Sequence, residues 1–269
     1  MLQVHPITAL DLPGLFPYTT LRRPLEHAQQ GIFVAESEKV VRRLLHSRFA
    51  VVSLLVDDRW LAEFRPLIAA RPENIIVYLA QKELLESLVG FTMFQGVLAV
   101  GRIPPPADLA TVLAAAARPH LLVAVDKIGN AENVGTLVRN CAAFNTQVLL
   151  VGETSSSPYL RRAVRNSMGA IFDLPVVEVT SLVQSLRDLR ARGIRCVAAH
   201  PAAGGRTLAQ ADFSRDCCLV FGNEGHGISP EVLAACDEAV AIPMPPRVDS
   251  LNVATAAAVF LYEASRQRG

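Results

Sequence analysis

Short apolar runs and segments of helical period alternate along nearly the whole chain. In the first hundred residues, GIFVAE (31–36), AVVSLLV (50–56), IIVYL (75–79) and GVLAV (96–100) read as strands. SEKVVRRLLHS (37–47) places Val40, Val41, Leu44 and Leu45 on one helical stripe, with Ser37 as the expected N-cap. DRWLAEFRPLIAA and QKELLESL have the same period and read as helices. IPPPADL (103–109) then interrupts the pattern, because three successive prolines hold an extended backbone without sheet donors. The expected first domain is a small α/β unit over residues 1–105.

Beyond the prolines the strands are more apolar. HLLVAV (120–125), TQVLLVG (146–152), LPVVEV (174–179), RCVAAH (195–200), CCLVFG (217–222) and EAVAIPM (238–244) are runs of the buried kind. Helices fit between them at 133–144, 158–166, 181–192, 229–235 and 250–266. Continuous apolar strands separated by helices imply a parallel sheet covered on both faces, here over 106–269. Ligands of such sheets bind beyond the carboxyl ends of the strands, so chemistry is sought in the loops that follow them.

Composition limits the classes. The chain has 269 residues, 51% hydrophobic and 19% charged, which excludes a disordered polymer. The longest stretch without a charge, Ser87 to Gly101, is too short for a spanning helix, and the N-terminus lacks a basic segment followed by an apolar core. A cytoplasmic protein with no membrane partner is expected. Five cysteines without a CxxC pair point to reduced thiols, with no metal site. The formal charge is only +1, although 23 of the 26 basic residues are arginine. Residues 1–105 carry 11 basic and 10 acidic side chains and the remainder 15 of each, so neither half has the broad positive field of many nucleic-acid binders.

Three loops after strands hold more polar residues and glycines than turns need. In DKIGNAENVGTLVRNCAAF (126–144), Asn133 is placed to cap a helix, Gly135 permits close approach to its first turn, and Arg139 follows near its end. In FGNEGHGIS (221–229), Gly222, Gly225 and Gly227 surround Asn223, Glu224 and His226; the glycine order is not the dinucleotide fingerprint. In AIPMPPRVDSLNVATAAAVFLYEASRQ (241–267), prolines end a strand, Ser250 is placed as a helix cap, and Asn252 follows in the first turn.

Together these segments resemble the SpoU (TrmH-like) branch of the SPOUT RNA methyltransferases. The family's first motif matches Asn133, Gly135 and Arg139; its second, Gly-Asn-Glu-Gly-x-Gly, matches Gly222 to Gly227. Its third matches Ile242 to Met244 and Ser250 to Val253. The first half is similar to the ribosomal-protein-like RNA-binding domain found ahead of the catalytic domain, through GIFVAESEKVVRRLL and FQGVLAV. RRAVRNSMGA (161–170) looks like a family segment associated with substrate RNA, with Arg161, Arg162, Arg165 and Ser167 as its expected contacts. The sequence departs from the family at Asn130-Ala131, where a proline is usual, at Asn145 in place of glycine, and at Pro245-Pro246-Arg247.

The resemblance implies methyl transfer from S-adenosylmethionine to a ribose 2′-hydroxyl, in ribosomal more than transfer RNA. It also implies a deep trefoil knot and a homodimer. It assigns catalysis to Arg139, Asn133, Glu224, Ser250 and Asn252, and cofactor binding to Gly222, Asn223, Gly225, Ile242, Met244, Leu251 and Asn252. A free arginine loses its proton only above about 12, so activation of the hydroxyl with help from phosphate is the easier role for Arg139. Two rivals are a non-catalytic RNA-binding protein of the same fold and a hydrolase using Ser250, His226 and Asp249. The hydrolase lacks a nucleophile elbow, and its acid adjoins the serine instead of orienting the histidine.

Overall fold

The computed structural model describes residues 3–89, 96–201 and 206–269. Phe94 and Gln95 of the FQGVLAV segment lie outside the described residues. The chain divides into two compact units, one formed by 1–105 with 159–172 and the other by 106–158 with 173–269.

The first unit contains β1 (Gln3–Pro6), α1 (Phe16–Thr19), α2 (Pro24–Gln29), β2 (Ile32–Glu36), α3 (Glu38–His46), β3 (Val51–Val56), α4 (Asp58–Ala69), β4 (Ile76–Leu79), α5 (Lys82–Val89) and β5 (Val97–Arg102). Its sheet runs β1-β4-β3-β5-β2, with β5 antiparallel to both neighbours and the β1–β4 and β3–β4 pairs parallel. The edge strand β1 has no counterpart in the hydrophobic pattern. Its QVHP sequence is short and mostly exposed, and Pro6 is tolerated because an edge strand can spare a donor. Val40, Val41, Leu44 and Leu45 of α3 are all buried, as their stripe predicts. Ser37 precedes this helix but makes no side-chain cap bond, and its φ of 88° shows the chain turning sharply out of β2.

The second unit contains α6 (Leu109–Ala115), β6 (Leu121–Val125), α7 (Ala131–Ala143) and β7 (Val148–Val151). After an excursion through α8 (Arg161–Asn166), which belongs to the first unit, come β8 (Val176–Glu178), α9 (Leu182–Ala191) and β9 (Arg195–Ala199). β10 (Cys217–Phe221), α10 (Pro230–Ala235), β11 (Glu238–Val240) and α11 (Val253–Arg268) complete it. Its sheet runs β11-β9-β10-β6-β7-β8, and every pairing is parallel. β6 and β10, in the middle, are buried at every residue, which explains why their sequences are apolar runs without alternation. Cys141, Cys196, Cys217 and Cys218 are buried, and burial pushes the Cys141 thiol up to about 12, leaving it an inert small hydrophobe.

Two caps differ from expectation. α7 begins two residues earlier than the pattern suggests, and Asn130, not Asn133, is its N-cap: its Oδ1 accepts from Glu132 N at 2.8 Å. α11 is capped by Asn252, not Ser250, with Asn252 Oδ1 accepting from Ala254 N at 2.9 Å and Thr255 N at 3.3 Å. In both cases the residue immediately before the first helical residue supplies the acceptor. Asn130→Ala is therefore expected to lower stability by about 1 kcal/mol, read from the urea midpoint. Asn145 ends the same region at φ 55°, the left-handed conformation that asparagine tolerates in place of glycine.

Candidate active site

Three loops of the second unit meet beyond the carboxyl ends of β6, β10 and β11. At the end of β6, the buried Asp126 carboxylate accepts from the backbone N–H and the hydroxyl of Ser229, both at 2.7 Å. This ties the far end of the glycine loop to the first loop. The near end is tied by Asn223, whose Nδ2 donates to Lys127 O at 2.7 Å. Asn223 Oδ1 turns back to accept from Gly225 N at 2.8 Å and His226 N at 3.0 Å. Paired backbone bonds between Asn223 and Gly227, 2.9 Å each way, close the loop, and Gly227 takes the left-handed φ of 70° that the closure requires. The loop is thus pinned at both ends, while Glu224 at its tip remains exposed.

The cap on α11 sets the direction of a hydrogen-bond chain. Because Asn252 Oδ1 is committed to the helix N–H groups, its Nδ2 faces away and donates to Asn133 Oδ1 at 3.0 Å. Asn133 must then present its own Nδ2, which donates to Glu224 Oε1 at 2.8 Å. One face of α7 carries this chain: Asn140, two turns beyond Asn133, donates to Ala254 O at 2.7 Å. The glycine loop, α7 and the start of α11 are therefore held in one register by asparagines. Freed of the cap, Asn133 serves the loop.

Beside this chain lies a cavity of about 350 Å³. Val240, Ile242, Met244, Leu251 and Phe260 supply apolar walls, and Gly222, Asn223, Glu224 and Gly225 line it from the glycine loop. His200, His226, Asp249 and Ser250 complete its polar lining. Gly222 has no room for a side chain. An added Cβ would stand 2.2 Å from Gly227 C and from Ile228 N, inside the backbone of the opposite arm of the loop.

The profile of the SpoU rRNA Methylase family matches residues 120–262, which cover these three loops. The chain belongs to the SpoU family. An uncharacterized tRNA/rRNA methyltransferase of Mycobacterium tuberculosis is 33% identical over 273 residues, covering 98% of this chain and 93% of the relative. The SpoU methyltransferase AviRb of Streptomyces viridochromogenes, solved in complex with AdoMet, superposes with a TM-score of 0.82 at 26% identity, over 96% of this chain and 99% of that one. An AdoMet-bound rRNA methyltransferase of Sinorhizobium meliloti has a TM-score of 0.83 at 23% identity, over 98% of each chain, a likeness of fold.

Of the residues assigned from the SpoU motifs, Asn133, Glu224 and Asn252 are joined by direct hydrogen bonds. Gly222, Asn223, Gly225, Ile242, Met244, Ser250 and Leu251 line the cavity with Glu224; Asn252 stands behind it as cap and donor. Arg139 is exposed on α7 and is not part of the cavity lining. Six residues after Asn133, it projects about 240° further round the helix at ~100° per residue. Arg161, Arg162 and Arg165 sit on α8 in the other unit. Ser167, expected to meet RNA, is wholly buried: its hydroxyl donates to Val164 O at 2.7 Å and accepts from Gly169 N at 3.1 Å, so it closes the turn after α8. Asp126, Asn140 and Ser229, which no motif marks, touch no cavity space and act by holding the loops. Asp126 did carry a signal, being a carboxylate immediately after a fully apolar strand. Among the described residues, no group of three or more His, Cys, Asp or Glu could hold a metal ion, and no helix is long and apolar enough to cross a membrane.

Proposed function

We propose that this protein transfers a methyl group from S-adenosylmethionine to a ribose 2′-hydroxyl of RNA, with ribosomal RNA as the preferred substrate. The observation that carries the reading is the cavity lined by the second and third motif loops, with the first loop joined to it through the Asn252–Asn133–Glu224 chain. The residues present fit the cofactor. A volume of about 350 Å³ lies in the range of small-molecule sites. Ile242, Met244 and Leu251 offer apolar walls to an adenine ring, and the adjoining backbone offers N–H and C=O groups to its edge. Asp249 and Glu224 are carboxylates facing the same space, suited to a ligand with cationic sulfonium and ammonium groups. When bound, the cofactor supplies an activated methyl.

The chain's own residues do the remainder, chiefly by positioning. Asn133 and Asn252 hold Glu224 in one orientation, where its carboxylate can accept from a ribose hydroxyl. Arg139 steadies the 2′-oxygen and the adjacent phosphate, making the hydroxyl easier to deprotonate. Arg139 projects away from the Asn133 chain of its own protomer, which supports a homodimer in which the arginine of one subunit serves the cavity of the other. Val259 and Tyr262, exposed large hydrophobics on the neighbouring α11, support the same assembly. The sheet order, which returns β9, β10 and β11 to the far side of β6, accords with a knotted C-terminal segment.

The test is methyl transfer from radiolabelled S-adenosylmethionine to deproteinised bulk ribosomal RNA and, separately, bulk transfer RNA. A 2′-O-methyl group blocks attack of the hydroxyl on its own phosphodiester, so the label is expected in alkali-resistant dinucleotides. Label in mononucleotides would place the methyl on a base and overturn the ribose assignment. Preferential labelling of transfer RNA would overturn the ribosomal preference. Cofactor-binding protein that binds RNA but labels none would establish the non-catalytic alternative.

A further inference from the structure

We propose that Glu36 is a positioning residue for RNA recognition, and that it divides the two α8 arginines it pairs with into a structural member, Arg161, and an RNA-contacting member, Arg165. The proposal rests on the RNA-methyltransferase reading above and concerns only how the first unit grips its substrate. Glu36 is the last residue of β2, and its side chain is 8% exposed. A buried carboxylate needs partners, and both come from a segment more than 120 residues away in sequence. Arg161 and Arg165 stand four apart on α8, on one face, and each donates to one oxygen: Arg161 to Oε2, and Arg165 to Oε1 at 3.4 Å. The two are not equivalent. The Arg161 side chain is 19% exposed and its buried Nε lacks a hydrogen-bond partner, whereas that of Arg165 is 58% exposed and makes the longer contact.

The rest of the segment is anchored independently. Tyr159 and Phe172, at its two ends, pack on Phe33 and Phe49 with ring centroids 5.5–6.3 Å apart. Arg43 donates to Met168 O at 2.7 Å and lies so close to Gly169 that an added Cβ there would meet its side chain at 3.0 Å. Residues 159–172 are thus a loop of the catalytic sequence built into the first unit, with Arg165 on its surface. Glu36 neutralises Arg161 and steers the Arg165 guanidinium without enclosing it. A phosphate oxygen then competes for a guanidinium whose geometry is already set, which lowers the ordering cost of the contact.

This predicts a sign opposite to that of the simple field. Removing a negative charge beside an RNA site should tighten binding if only net charge matters. If Glu36 positions Arg165, Glu36→Gln weakens it. In the full-length protein, Glu36→Gln is expected to raise KM for deproteinised ribosomal RNA about tenfold, the size of one lost charge-assisted contact, with kcat and cofactor affinity retained. A folded Glu36→Gln protein with unchanged or tighter RNA binding overturns the proposal. Arg165→Gln alters an exposed side chain, so it tests the idea even if the Glu36 variant does not fold. It is expected to flatten the slope of log K against log salt by about 0.7–0.9, one phosphate contact. An unchanged slope overturns the proposal. Wild-type protein that neither binds nor methylates RNA would overturn the functional reading itself, a result distinct from either variant's failure.

Discussion

Adding a single methyl group at Gly222 is expected to abolish cofactor binding and methyl transfer together. The reason is steric and local. The Cβ of Gly222→Ala would lie 2.2 Å from Gly227 C, 2.2 Å from Ile228 N and 2.4 Å from Gly227 O. These are backbone atoms, so no side chain can rotate aside. The paired bonds between Asn223 and Gly227 oppose separation of the two arms, and the Asp126–Ser229 and Asn223–Lys127 ties oppose displacement of the whole loop. Relief must come from opening that pairing, which moves Glu224 and the cavity wall. Overpacking of this kind costs about 1–3 kcal/mol, and a displacement near 1 Å in a positioned site can cost a factor of about 100. A cooperative thermal transition at lowered Tm, with cofactor affinity reduced at least about 100-fold by calorimetry, is the expected result. Affinity within about twofold of wild type would show that the loop tolerates opening and is not the cofactor's wall.

Gly222 also shows how much of the site could be read in the sequence. The three motif loops were legible because each follows an apolar strand, and a parallel sheet gathers the ends of such strands at one edge. Their order along the chain then fixed which residues could meet, and Asn133, Glu224 and Asn252 do meet. What the pattern could not tell was which asparagine caps a helix and which is left for the site. Asn130 and Asn133 both precede apolar positions, and the choice depends on where the backbone first turns helical. Ser250 and Asn252 pose the same ambiguity. The partition of 159–172 was less legible still. Its arginines show a helical face, but the carboxylate that receives them lies on β2, and no local spacing reports a contact across 125 residues. Ser167 is assigned to RNA only through the family segment it lies in; its hydroxyl is spent on a buried turn. The edge strand β1 was missed for the opposite reason, since strands with one free edge and an exposed face need little hydrophobic pattern.

Arg139→Ala is expected to separate binding from chemistry. Arg139 is exposed on α7, and its side chain supports neither the cavity wall nor the Asn252–Asn133–Glu224 chain. Removing it should leave Tm and S-adenosylmethionine affinity near their wild-type values. If the guanidinium stabilises negative charge developing at the 2′-oxygen, its loss removes an interaction made in the transition state. Such losses lower kcat by about 100- to 1000-fold. Arg139→Lys keeps the charge but lacks the planar fork that can span an oxygen and a phosphate, so partial recovery is expected at best. The arrangement of the site adds a second readout. Where Arg139 serves the cavity of a partner subunit, mixing Arg139→Ala protein with the loop-disrupted Gly222→Ala protein should regenerate one intact site per mixed dimer. Of random dimers, half are mixed and each holds one of two sites, so activity should return to about a quarter of wild type. No recovery on mixing, with dimers shown to exchange, would place Arg139 in the site of its own chain. Full activity of Arg139→Ala alone would remove it from the chemistry altogether.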